Sequence, residues 1–218
     1  MTTQLFARGL RNTFLTGVRP VSAGARTTPM VGVAVTLRYI PAREDIDVLG
    51  VFADPGHPQR VAVESTGVGQ VLVIDSRADA SAASAGEILL SRLLARGAAG
   101  VVTDGAFRDS PGIDALPLPA YAAGACATTN LARHHAVDID VPIGCAGVAV
   151  FPGDVVVGDA EGVVCIPRHL ADDIAEPAAE QEELEDYILG RIRAGSALRG
   201  TYPPDDATLA AYRAQRSG

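Results

Sequence analysis

Three stretches decide the fold: Gly69-Gln-Val-Leu-Val-Ile-Asp75, then Gly86-Glu-Ile-Leu-Leu-Ser-Arg-Leu-Leu-Ala-Arg-Gly97, then Ala98-Ala-Gly-Val-Val-Thr-Asp-Gly-Ala-Phe-Arg-Asp109. The first is a short apolar run rich in β-branched residues and closed by an Asp, the pattern of a buried strand. In the second, Ile88, Leu89, Leu90, Leu93, Leu94 and Ala95 recur at helical spacing, and Gly97 is placed as a C-terminal cap. In the third, Ala98 to Thr103 is a short apolar strand that stops at Asp104-Gly105. Strand, helix and strand in that order make a β-α-β unit with parallel strands and a right-handed crossover. Ligands of such units gather beyond the carboxyl ends of the strands. Gly86-Glu87-Ile88-Leu89 and Phe107-Arg108-Asp109 both fall at that edge, so the topology predicts that they meet.

Outward from this unit, Val31 to Tyr39 reads as a strand, and Glu44 to Ala53 as a short helix broken by Asp54-Pro-Gly-His-Pro58. Leu116 to Tyr121 reads as an edge strand because of its prolines. Asp140 to Val150 and Asp154 to Gly158 read as strands, and Asp159 to Gly162 as a hairpin turn into Gly162 to Ile166. His169 to Ile192 reads as a long acidic helix with a kink or break at Pro177, and Asp205 to Arg216 as a last helix. Residues 1 to 30 are weakly patterned. The fold class is α/β, with residues 1–168 as one domain and residues 169–218 as a helical extension packed on it or on a neighbouring subunit.

Composition narrows the function. A chain of 218 residues with a formal charge of −8 and no basic block lacks the clustered Lys and Arg that phosphate neutralisation needs, so no nucleic-acid partner is expected. An anionic ligand would need a local positive focus against that net field. Cys126, Cys145 and Cys165 form no Cys-x-x-Cys pair, which points to free, mostly buried thiols in a reducing cytoplasm rather than to a disulfide framework or zinc. No stretch approaches a membrane span, so the protein is expected in the cytoplasm, off the membrane.

The chemistry sits in the loops. A carboxylate such as Asp109 after a buried strand can ligate a hard cation, Mg²⁺ or Mn²⁺. The adjacent Arg108 guanidinium can hold a carboxylate or a developing oxyanion in fork geometry. Such a pair is equally a surface ion pair or a turn. A Gly at residue 86 lets backbone approach a ligand, and the first-turn amides after it lack helical acceptors, which suits a carboxylate. Glu87 there is also simply favourable for the helix dipole.

Gly86-Glu-Ile-Leu89, Arg96-Gly97, Gly100-Val-Val-Thr-Asp-Gly-Ala-Phe-Arg-Asp109 and Leu116-Pro-Leu-Pro-Ala-Tyr121 closely resemble the RraA-like family, named after the regulator of ribonuclease activity A. So do Pro142-Ile-Gly-Cys-Ala-Gly147, Phe151 to Val164 and Ile166-Pro-Arg168. The family includes class II 4-hydroxy-4-methyl-2-oxoglutarate and 4-carboxy-4-hydroxy-2-oxoadipate aldolases. The resemblance implies a compact swivelling β/β/α domain assembled as a homotrimer or hexamer with sites at subunit contacts. It implies a divalent-metal-dependent lyase that cleaves a 4-hydroxy-2-oxo acid to release pyruvate as its enolate, with oxaloacetate decarboxylase activity from the same site. Amides of Gly86, Glu87, Ile88 and Leu89 would bind the pyruvyl carboxylate, Arg108 would act near the 2-oxo oxygen, and Asp109 would ligate Mg²⁺ or Mn²⁺.

The resemblance also implies an acidic residue from a neighbouring subunit's C-terminal region, for which Glu180, Glu182, Glu183 and Glu185 are candidates alongside a plain solvated helix face. Asp75 and Asp104 end strands near the site as supporting partners or turn residues, and His134 and His135 read as surface or subunit-contact residues. Phe107 replaces the family's usual aliphatic residue, and Ser76 to Ala85 lacks its common aromatic. The family's opening Ser/Thr-Asp-Ala-Leu helix is not recognisable before Val31, so this start is expected to be short or diverged. Two other functions stay open: a non-catalytic regulator binding a ribonuclease or helicase, and another enolate-stabilising lyase or hydratase.

Overall fold

A computed structural model describes residues 1–216. Its elements in chain order are α1 (Thr2–Ala7), β1 (Arg19–Pro20), α2 (Ala23–Thr27), β2 (Met30–Pro41), α3 (Pro58–Ser65), β3 (Gln70–Asp75), β4 (Ala83–Ala85) and α4 (Glu87–Ala95). There follow β5 (Gly100–Thr103), β6 (Ala106–Phe107), α5 (Ser110–Asp114), β7 (Ala120–Ala122), β8 (Gly124–Ala125) and β9 (His134–Ile139). The rest are β10 (Ile143–Cys145), β11 (Val148–Val150), β12 (Val155–Gly158), β13 (Val163–Ile166), α6 (Ala171–Arg193) and α7 (Asp206–Arg216). The chain forms two compact units, one built from residues 4–170 and the other beginning at Ala171.

In the first unit the main sheet runs β1-β7-β5-β3-β2-β12-β13, with β9 also paired to β2. Strands β7, β5, β3 and β2 are parallel, and β12 and β13 continue antiparallel. The expected β-α-β unit is therefore present as β3-α4-β5. Its strands are apolar on both sides because both are covered: Leu72 and Val101 pack with Leu90 and Leu93 of α4, while Val71, Val73 and Val102 pack with Ile143, Val148 and Val156. Burying each such leucine stabilises the fold by roughly 2 kcal/mol.

A second sheet explains how the site is placed. Strands β4, β6 and β8 pair in parallel, in the same order as β3, β5 and β7, which they follow along the chain. Each of these three strands thus breaks and resumes in a second small sheet. The breaks are held by Asp104, which is 3 % exposed. Its Oδ1 accepts the Ser76 amide at 2.6 Å, and its Oδ2 accepts the Ala78 and Ala146 amides at 2.9 and 3.0 Å. Beside it, the hydroxyls of Ser76, Ser84 and Thr103 lie 2.7–3.1 Å apart. Residue 105 must be Gly: a Cβ there would stand 2.6 Å from both Ser76 Cβ and Ser84 Oγ.

Several expectations need correction. Glu44 to Ala53 is not an α-helix; it is turns followed by a 3-10 segment, Leu49–Ala53, while the helix lies beyond the prolines as α3. Pro58 does not end structure but begins it, since a first-turn proline has no amide to lose. Asp140 to Val150 is not one strand but the hairpin β10-β11, turned by Ala146 and Gly147 at positive φ. Leu116 to Tyr121 contributes only β7, from Ala120 onward. In the second unit, α6 runs through Pro177 without a break. Among the described residues no helix is long and apolar enough to cross a membrane.

Because three backbone amides depend on one buried carboxylate, Asp104→Ala should lower stability by about 3–5 kcal/mol. Urea unfolding of that variant reads this directly, and an unchanged midpoint would remove Asp104 from the account.

Candidate functional site

The second sheet sets the stage for the site. The Arg108 amide donates to Ala85 O at 3.1 Å, and Cys126 N to Phe107 O at 3.0 Å, so the Arg108–Asp109 loop is pinned beside the start of α4. The two segments meet, as the topology predicts. Asp109 takes the left-handed conformation, φ 61° and ψ 38°, uncommon for a residue with a side chain and better tolerated by Asp than by most. It precedes α5, yet its carboxylate does not cap that helix. Oδ2 instead accepts the Glu87 amide of α4 at 3.3 Å and faces Arg108 Nε at 3.5 Å. Oδ1 accepts no hydrogen bond among the described residues. Both side chains of the pair are half-exposed, so the ion pair contributes little to stability by itself.

Gly86 closes the contact. Its backbone is extended and leaves no room for a side chain: a Cβ would stand 2.6 Å from Asp109 Oδ2 and 2.8 Å from Arg108 Nε. Of the first-turn amides, Glu87 donates to Asp109 and Leu89 to Gly86 O, while Ile88 has no acceptor among the described residues. The Glu87 carboxylate turns away toward α5, where a Cβ on Gly112 would collide with it.

A cavity of about 120 Å³ opens here, and Gly86, Ile88, Leu89 and Arg108 line it. Five further lining residues escaped sequence reading: Phe52, Gln59, Arg60, Thr129 and Asn130. Their signal was hidden because the α3 helix carrying Gln59 and Arg60 follows a proline-rich turn, and Asn130 sits in an irregular stretch. No acidic side chain among the described residues lines the cavity. Gln59 is fixed by donating to Tyr39 OH at 3.0 Å and to Ser84 O at 2.9 Å.

The other expected residues lie elsewhere. Asp75 is largely buried, accepting from Arg77 N and Gly144 N; burial and then the nearby Asp104 charge raise its pKa. His134 is not a surface residue: it is fully buried and stacked on Tyr39 at 5.3 Å, and burial lowers its pKa. His135 pairs with Asp47 at 2.7 Å. Phe107 is core, 2 % exposed, and its ring lines a neighbouring cavity with Pro111 and Ile113 rather than the one holding Arg108. In the second unit, Glu180 and Glu183 pair with Arg216, Glu185 accepts from Gln181, and all four glutamates are exposed. Burial pushes the Cys165 thiol up to about 12 and raises the Cys145 thiol well above its ordinary value, so neither is a reactive thiolate near neutral pH.

No cluster of three or more His, Cys, Asp or Glu residues suited to a metal forms among the described residues. The donor set that does exist is one open carboxylate oxygen on Asp109 in a half-exposed loop. That fits a hard cation that takes few protein ligands and keeps waters, and does not fit zinc.

Comparison with known proteins shows the family. A Halalkalibacterium halodurans protein, provisionally named 4-hydroxy-4-methyl-2-oxoglutarate aldolase, is 38% identical over 117 residues, covering 52% of this chain and 54% of that one. The chain spans about half the length of the first curated relatives it matches. A 4-hydroxy-4-methyl-2-oxoglutarate aldolase of Thermus thermophilus is 32% identical over 123 residues, covering 56% of this chain and 74% of that one. The crystal structure of Streptomyces coelicolor RraAS2, described as an unusual member of the RNase ES inhibitor RraA family, superposes with a TM-score of 0.72 at 28% identity, covering 85% of this chain and 87% of that one. The Aldolase/RraA family model matches residues 3–165, and the chain accordingly belongs to the RraA-like family.

Proposed function

We propose that this chain is a divalent-metal-dependent class II aldolase that cleaves a 4-hydroxy-2-oxo acid and releases pyruvate. The observation that carries the reading is the turn of Asp109 away from its own helix to the start of α4, beside Arg108 and the cavity. Mg²⁺ or Mn²⁺, held by Asp109 and water, would supply Lewis-acid polarisation of the 2-oxo group. The Ile88 amide and the α4 dipole would take the substrate's 1-carboxylate. Arg108 would face the 2-oxo oxygen, where negative charge grows as the carbon–carbon bond breaks, and fixed donors lower a barrier most where charge develops. Oxaloacetate decarboxylation develops charge at the same oxygen, so the same residues would serve it.

A homotrimer or hexamer is part of this proposal. Ile88 is 78 % exposed at the cavity, an apolar surface that a second copy would cover. Light scattering should then give three or six times the 22.5 kDa chain mass, and a monomer at micromolar concentration would contradict it. The regulator reading draws on the description of the Streptomyces relative, and it leaves the Arg108–Asp109 geometry without a use.

Purified protein with Mg²⁺ or Mn²⁺ should release pyruvate from 4-hydroxy-4-methyl-2-oxoglutarate and lose that activity on chelation. Arg108→Ala and Asp109→Ala should each lower kcat/KM by roughly 10²–10³-fold. Absence of pyruvate release from hydroxy-oxo acids and from oxaloacetate would end the proposal. Gly86→Ala separates site from fold: the three atoms nearest its Cβ all belong to the Arg108 and Asp109 side chains. It should keep wild-type stability within about 1 kcal/mol, since the extended backbone accepts Ala, yet lose most activity.

A further inference from the structure

One aromatic residue of the cavity wall stands on a weakly held stretch of chain. Phe52 lines the cavity with Gly86, Leu89 and Arg108, and it belongs to residues 43–56, between β2 and α3. No residue of that stretch is buried, and its apolar side chains Ile46, Val48 and Leu49 are 40 %, 53 % and 76 % exposed. Hydrophobic burial therefore does little to hold it. Its backbone forms turns and the 3-10 segment Leu49–Ala53, whose hydrogen bonds stay within the stretch or enter the turn that opens α3.

A single bond ties the stretch to a distant element. Asp47 Oδ1 meets His135 Nδ1 of β9 at 2.7 Å, and among the described residues no other hydrogen bond or ion pair leaves residues 43–56 except into the adjoining turn. Although its neighbours are exposed, the Asp47 side chain is 2 % exposed, and its Oδ2 accepts the Arg43 amide at 2.7 Å. A carboxylate removed from water to this extent depends on its partners, unlike an ordinary surface ion pair. Near the other end, the Arg60 guanidinium lies 4.7 Å from the Phe52 ring centroid, and the His57 ring stands edge-on to Phe52 at 5.5 Å. His57 Nδ1 is buried without a hydrogen-bond partner. Water reaching that ring would satisfy the atom, which lowers the cost of lifting Phe52 away.

We infer that residues 43–56 form a lid on this cavity, hinged where the chain leaves β2 and where it enters α3, with the Asp47–His135 pair as its latch. Latched, the lid sets Phe52 in the cavity wall and keeps water out; released, it opens the way in for a ligand. A cavity that must exclude water and still exchange ligands needs such a segment, drawn from the least stable part of the fold. The inference concerns access to the cavity and holds whatever small ligand the cavity takes.

A cysteine placed in the cavity reports its opening. Ala83 lines the cavity and is 2 % exposed, so Ala83→Cys, with the half-exposed Cys126 changed to Ser, should react with a small thiol reagent only when the lid lifts. On that background His135→Ala should speed labelling by roughly 10- to 100-fold, the loss of one hydrogen bond to a charged group. His135→Asn keeps a donor where Nδ1 stands and should leave the rate close to that of the unlatched protein's parent. Hydrogen exchange needs no added cysteine: His135→Ala should speed exchange of residues 43–56 and leave β3 and β5 unchanged, which separates a released lid from a loosened fold. Labelling of the parent as fast as a free thiol, labelling or exchange unaltered by His135→Ala, or faster exchange spread through β3 and β5 overturns the inference.

Discussion

Everything at the ligand edge depends on one buried carboxylate with three amides around it. Strands β3, β5 and β7 would run into solvent at their carboxyl ends if they simply stopped. They break instead, and resume as β4, β6 and β8 in a second sheet. A break in a buried strand leaves backbone donors unpaired, and in a low-dielectric interior each is costly. Asp104 answers this by accepting from Ser76 and Ala78 in the loop after β3 and from Ala146 in the β10-β11 turn. Because β6 lasts only two residues after that anchor, Arg108 and Asp109 emerge at a fixed point beside α4.

Local chemistry follows from that placement. Asp109 is held in the left-handed region, its carboxylate drawn to the Glu87 amide rather than to its own helix. Gly86 is the tolerance that makes this possible, since any side chain there would occupy the space of the pair. Arg108 and Arg60 give an acidic protein a local positive cavity with no lining carboxylate, the focus that an anionic ligand of such a chain requires.

Much of this was legible in the sequence, and the reason is periodicity. The β3-α4-β5 unit declared itself through apolar runs and helical spacing between Gln70 and Thr103, and from it the meeting of Gly86 and Arg108 followed. The resemblance to the RraA-like family came from the same residues. What stayed hidden depends on tertiary contact. Helix α3 is only eight residues long with two valines, and the Pro58 that opens it looks like a breaker; with it went Gln59 and Arg60. Asn130 lies in a Thr- and Asn-rich stretch whose composition says loop, and only packing makes its amide buried and unpartnered. His134 read as surface because nothing local reveals that β9 pairs with β2 and brings its ring onto Tyr39.

The central claim is that Asp109 and Arg108, set against the start of α4, form one anion-and-metal site. Anomalous diffraction from crystals soaked with MnCl₂ and pyruvate tests it most directly. The account predicts a manganese peak on the Asp109 carboxylate, with the pyruvate carboxylate at the first turn of α4 and Arg108 on its oxo group. Manganese bound elsewhere, or pyruvate absent from the cavity that Gly86 and Arg108 line, would contradict it.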